Sequence, residues 1–139
     1  LPKPYSKSDN LAIETTARVD LSIPPIERIK NSSITFSDGF GNSLQSFLQN
    51  SQMQIVGTIS NEHDFKQKFV YVFQVKNDKN IIESLSWIQG EISSKQSLDV
   101  SQSWIPKKSG IYEIETFVWN SINNPTALSP FMSTMITIP

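Results

Sequence analysis

Residues 68–76, KFVYVFQVK, constrain the fold more than any other part of the chain. In an extended backbone Phe69, Tyr71, Phe73 and Val75 fall on one side, while Val70 and Val72 fall on the other. A period of two with apolar residues on both sides predicts a central strand of a sheet. Similar stretches recur at roughly ten-residue spacing, over 33–37, 44–48, 52–60, 81–89, 98–104, 110–120 and 132–138. Within 52–60, Met53, Ile55, Gly57 and Ile59 share a face. Turn residues separate the stretches: 38–42 (DGFGN), 61–67, 77–80 (NDKN), 90–96 and the proline-bracketed 121–130. No window carries apolar residues at i, i+3, i+4 and i+7 with caps at both ends, and 43–50 makes one helical turn at most. Seven or eight short strands predict an all-β, antiparallel sandwich.

The first 33 residues read differently. Residues 1–10 hold two prolines and little apolar content, as expected of a lead-in. Over 11–23, Leu11, Ile13, Thr15, Ala17, Val19, Leu21 and Ile23 alternate with Ala12, Glu14, Thr16, Arg18, Asp20 and Ser22. That pattern predicts a strand with one buried face, ended by Pro24 and Pro25, which cannot donate to a ladder. Residues 26–33 read as a connector. The expected organisation is an extended arm over 1–33 followed by a sandwich over 34–139.

Composition removes several classes of function. The 139 residues include no Cys, which excludes a disulfide scaffold, a Cys-based metal site and a Cys nucleophile. Twelve Lys and Arg against thirteen Asp and Glu give a net charge of −1, against nucleic-acid binding. No apolar run approaches the roughly 20 residues that cross a bilayer as a helix. A start at Leu1 rather than Met is expected of a processed chain, and nothing near it has the pattern of a signal peptide.

Chemistry-bearing groups are sparse. His63 stands alone between acidic neighbours and reads as a solvated turn residue rather than a metal ligand. One His and no Cys exclude a blue-copper centre, and no G-x-S-x-G elbow occurs. Asp38 and Asn42 offer side-chain oxygens that calcium could use, but turn geometry accounts for them more simply. No cofactor and no catalytic residue are expected. Asn31-Ser32-Ser33 is an N-glycosylation sequon, making Asn31 a candidate site, whereas Pro125 blocks the triplet at Asn124.

The most specific segment is 104–112, WIPKKSGIY. Pro106 stops one strand, Gly110 permits a turn, and Tyr112 opens the next strand with its hydroxyl able to reach back to the backbone. This is the sequence form of a tyrosine corner, a feature of immunoglobulin-like sandwiches. Extended to SWIPKKSGIYEIETFVWNS, and together with ITFSDGFGNSL, FVYVFQVKN and NPTALSP, it makes residues 34–138 resemble the immunoglobulin-like modules of secreted and surface proteins of ammonia-oxidising archaea. The resemblance covers about three-quarters of the chain. It implies an extracellular or cell-surface setting and a spacer, surface-layer or adhesion role, with no catalytic motif.

Two features bear on such a role. If the Tyr112 side of strand 110–120 is the core, Phe117 and Trp119 point outward. They would then be covered by the chain itself, form a protein interface, or stack on a sugar. The alternating segment is either the first strand of its own sandwich or a donor to a neighbour's sheet edge, with Leu11, Ile13, Val19, Leu21 and Ile23 filling pockets. The expected function is a non-enzymatic structural subunit of an extracellular filament or surface layer, self-associating or flanked by further domains. The alternative is an adhesion or carbohydrate-binding module.

Overall fold

The computed structural model describes residues 22–139. The expected strand over 11–23, with Leu11, Ile13, Val19 and Leu21, therefore lies outside the described residues except at its end. There, Ser22 and Ile23 lie outside any strand. Pro24 and Pro25 fix the backbone for a short 3-10 turn at Pro25–Glu27. Arg28 Nε donates to the Ile23 carbonyl at 3.3 Å, and Ile23 is half-buried.

Seven strands follow: β1 (Lys30–Ser37), β2 (Met53–Ser60), β3 (Gln67–Lys76), β4 (Ile82–Ile92), β5 (Ser97–Trp104), β6 (Gly110–Trp119) and β7 (Met132–Ile138). They form two antiparallel sheets, β1-β2-β5 and β4-β3-β6-β7, packed as a sandwich. β3 is central, as its two apolar faces predict. Its Phe69, Tyr71, Phe73 and Val75 meet Met53, Ile55 and Ile59 of β2 and Tyr112, Ile114 and Val118 of β6 in the core. Burying a large apolar side chain of this kind stabilises the fold by about 1.5–3 kcal/mol.

Two glycines permit close approach. A Cβ on Gly57 would lie 1.7 Å from the Tyr71 hydroxyl oxygen, so the ring crosses the sandwich into space that only glycine leaves free. A Cβ on Gly90 would lie 3.0 Å from Phe69 Cζ.

Three boundaries differ from the sequence reading. The sandwich begins before residue 34: Ile29 is a core residue, and β1 starts at Lys30. A bulge between Asn31 and Ser33 breaks the alternation that would have revealed these residues as a strand. Residues 44–48 are not a strand and 43–50 contain no helix; one bridge, Ser37 to Ser43, holds the segment. Phe47 packs edge-on against Phe36 instead, at 5.1 Å between ring centres. Finally, β4 continues through Gly90 to Ile92, because Gly90 lies opposite Phe69 in the ladder and makes room for its ring.

Candidate functional site

Strand alternation and register build an apolar surface on the outer side of the larger sheet. On β6, Tyr112, Ile114, Thr116 and Val118 are buried inward, so Glu113, Glu115, Phe117 and Trp119 face outward. Trp87 on β4 lies opposite Val72 on β3, and Val72 lies opposite Phe117 on β6. The Phe117 ring stacks on Phe131, just before β7, at 5.6 Å and 26°. One apolar row thus crosses all four strands, a width of about 14 Å at the usual strand spacing of about 4.8 Å. Trp119 adds to it, 5.9 Å from Phe117 and opposite Val70. Val70 and Val72 are buried although they lie on this outer side, sheltered by the flanking rings. Phe117 and Trp119 are half-buried, whereas Trp87 and Phe131 are 49% and 58% exposed.

The row gives way to polar groups along the strands. Lys76 Nζ lies 2.9 Å from Glu115 Oε1 and 3.4 Å from Glu113 Oε1. Gln74 Nε2 donates to the same Glu115 oxygen at 2.9 Å. Glu115 is buried, yet these two donors satisfy its carboxylate. The hydrogen bond to Glu115 is the main cause holding the Lys76 ammonium above its ordinary range; desolvation opposes it, and Glu113 assists.

β4 forms one edge of this sheet. Among the described residues it pairs only with β3. It is eleven residues long and contains neither Lys nor Pro; a bulge at Glu83, opposite Val75 and Lys76, and the charges of Glu83 and Glu91 are what guard it. Ile82, Leu85 and Trp87 on it, and Ile81 just before it, are exposed.

The other candidate residues are dispersed. The Tyr112 hydroxyl donates to the Lys108 carbonyl at 2.7 Å, and its ring meets Trp104 edge-on at 5.1 Å. Gly110 supplies the corner's positive φ of 144°. Asn31 lies opposite the core residue Ile59, and its Nδ2 donates to Thr116 Oγ1 at 3.0 Å. The nitrogen that a glycan would occupy is thus engaged inside the sandwich. Both Asp38 carboxylate oxygens serve their own turn: one accepts from the Phe40 and Asn42 amides, the other from Asn42 Nδ2. These bonds hold the Asp38 carboxyl below its usual range, the Asn42 amide contributing most. His63 Nε2 lies 2.9 Å from the Glu27 carbonyl, and its ring stacks on Phe65. Among the described residues no three His, Asp or Glu side chains converge on one point.

Sequence reasoning found Phe117 and Trp119 but missed Leu85, Trp87 and Phe131. A bulge hid the first two. The 77–80 turn starts a hairpin, but counting back along it from Lys76 opposite Ile82 sets Ser84 and Ser86 beside Gln74 and Val72; a bulge at Val75/Lys76 slips the register by one and brings Leu85 and Trp87 there instead. Phe131 was missed because it lies just outside its strand.

The sequence matches no described protein family and no curated protein. Its fold is similar to that of several solved structures. The C-terminal domain of Wzt superposes with a TM-score of 0.68 at 13% identity, over 81% of this chain and 74% of that one. A β-glucuronidase of Bacteroides uniformis gives 0.66 at 11% identity over 81% of this chain, which spans only 15% of that enzyme. The CARDB domain of a Pyrococcus furiosus protein, solved in complex with di-metal ions, gives 0.55 at 9% identity, over 84% and 96% of the two chains. The likeness at these identities establishes the β-sandwich fold and nothing finer.

Proposed function

We propose that this chain is a non-enzymatic structural subunit of an extracellular assembly, a filament or surface layer, whose copies join by β-strand pairing or strand donation. The β4 edge carries this reading. A long edge without Lys or Pro, guarded only by Glu83, Glu91 and a bulge near its start, presents unpaired backbone donors and acceptors to another strand, and exposed Ile82, Leu85 and Trp87 add apolar area to the contact. The extracellular and archaeal setting rests on the sequence resemblance of residues 34–138.

The test is light scattering and electron microscopy of the full chain at neutral pH, beside a Leu85→Lys/Trp87→Lys variant. The expected result is oligomers or polymers from the parent and monomers from the variant, with equal melting temperatures. A parent that stays monomeric, or a variant that assembles equally well, overturns the reading.

A second reading has its own observation. The aromatic row lies beside hydrogen-bonding groups of Gln74, Glu115 and Lys76, and sugars stack their apolar faces on aromatic rings while their hydroxyls bond to polar neighbours. A glycan-array screen with Trp119→Ala as the control decides it: glycan binding that the variant loses supports an adhesion or carbohydrate-binding module.

A further inference from the structure

We propose that the β4 edge of one copy pairs with the β7 edge of the next, antiparallel and with Trp87 opposite Met135, so that the larger sheets of successive copies fuse into one continuous sheet. This pairing rests on the assembly reading and names the strand that β4 meets.

Strand direction is the first argument. β4 with β3, β3 with β6, and β6 with β7 are all antiparallel pairs. The two edges of this four-stranded sheet therefore run in opposite directions. A copy set beside another without being turned over brings β4 against β7 with the alternation unbroken. Among the described residues β4 pairs only with β3, and β7 only with β6. The three-stranded sheet lacks this property. β1 and β5 are both antiparallel to β2, so its edges run the same way. Repeated copies would pair those edges in parallel, the slightly less stable ladder.

Charge and length set the register. Residues 84–90 of β4, SLSWIQG, carry no charge and lie between Glu83 and Glu91. β7 is also uncharged, and its seven residues have the same length. With the ends matched, Ser84 falls opposite Ile138 of the next copy and Gly90 opposite Met132. On the inner side, Ile136 and Ile138 then meet the small side chains of Ser86 and Ser84. On the outer side, Met135 meets Trp87, a sulfur against an aromatic ring, and both are exposed in the single copy. The smallest shift that keeps the faces matched is two residues. One direction draws bulged Glu83 into the ladder, and the other draws in Glu91. Pairing 84–90 with itself instead sets Glu83 opposite Glu91 at both ends, and like charges directly opposite are destabilising. A contact between two different edges does not close, so it propagates as an open chain of copies.

The experiment is sedimentation velocity on the full chain and two variants. Leu85→Lys/Trp87→Lys blocks the β4 edge, and Ser133→Lys/Thr137→Lys blocks the β7 edge. All four residues are exposed, so both variants should melt where the parent does. The expected result is polymers from the parent, monomers from each variant alone, and a 1:1 complex from their equimolar mixture. That complex should grow no further, because the edges left over are the blocked ones. A β7 variant that assembles alone overturns the proposal, in favour of β4 self-pairing or strand donation, and leaves the assembly reading standing. A mixture that stays monomeric also overturns it. A monomeric parent, or a β4 variant that assembles, overturns the assembly reading and this pairing with it. The register has its own readout, since the chain has no cysteine. Gln89→Cys in the β7-blocked variant should fall opposite Ser133→Cys in the β4-blocked one, and mild oxidation of the mixture should link them. Ser84→Cys in place of Gln89→Cys should not link, and equal linking there overturns the register.

Discussion

The Tyr71 hydroxyl fills the space where a side chain on Gly57 would begin. The two residues lie in opposite sheets, and a Cβ at 57 would be 1.7 Å from that oxygen and 2.3 Å from the ring carbon that bears it. Gly57→Ala must therefore displace a fully buried ring in a packed core. The expected loss is about 3 kcal/mol, the upper part of the range for overpacking. Denaturant unfolding measures it. Tyr71→Phe in the same chain should recover part of the loss, because it removes the nearest atom but not the next.

Tyr71 also makes the fold sensitive to alkali. Burial pushes its phenol from 10.0 up to about 12, with the Thr116 hydroxyl opposing the shift. The folded value stands above the unfolded one, so the neutral phenol stabilises the fold fully below about pH 10. That contribution is lost as pH rises toward about 12. Stability should fall across this window, and Tyr71 should gain phenolate absorbance after Tyr112. In Tyr71→Phe the fall should be smaller.

Asn31 links three strands of the core. Its Nδ2 donates to Thr116 Oγ1 at 3.0 Å, and its Oδ1 accepts from the Tyr71 hydroxyl at 3.4 Å. Asn31→Ala leaves both hydroxyls without this partner and is expected to cost about 1–3 kcal/mol. The same geometry predicts that Asn31 of the folded, native protein carries no glycan. Peptide mass spectrometry before and after deglycosylation checks this, and a mass loss on the peptide containing Asn31 would refute it.

The Tyr112 hydroxyl closes the turn between β5 and β6 by donating to the Lys108 carbonyl at 2.7 Å. Tyr112→Phe keeps the ring against Trp104 and removes only that bond. The expected cost is about 1 kcal/mol, seen as a lower melting midpoint without loss of structure.

Much of this fold was legible in the sequence because strand alternation is local. Phe69 to Val75 announced a central strand, and the β2 residues Met53, Ile55 and Ile59 announced their buried face without reference to any partner. WIPKKSGIY placed Gly110 and Tyr112 at a corner for the same reason: the contact from Tyr112 to Lys108 spans four residues. Local pattern failed where long-range packing overrode it. The bulge after Asn31 hid the start of β1. Gly90 read as a loop residue until Phe69 lay across from it.

The candidate site depended on register more than on pattern. The sequence alone determined that Phe117 and Trp119 face away from Tyr112, since side chains alternate on any strand. Only the tertiary structure set Trp87, Val72, Phe117 and Phe131 in one row and left β4 at an edge. Strand order and register are settled by the joint burial of both sheets, a property of residues far apart in the chain. The fate of Asn31 has the same origin: a sequon is read from three consecutive residues, but Thr116, which engages its nitrogen, lies 85 positions away.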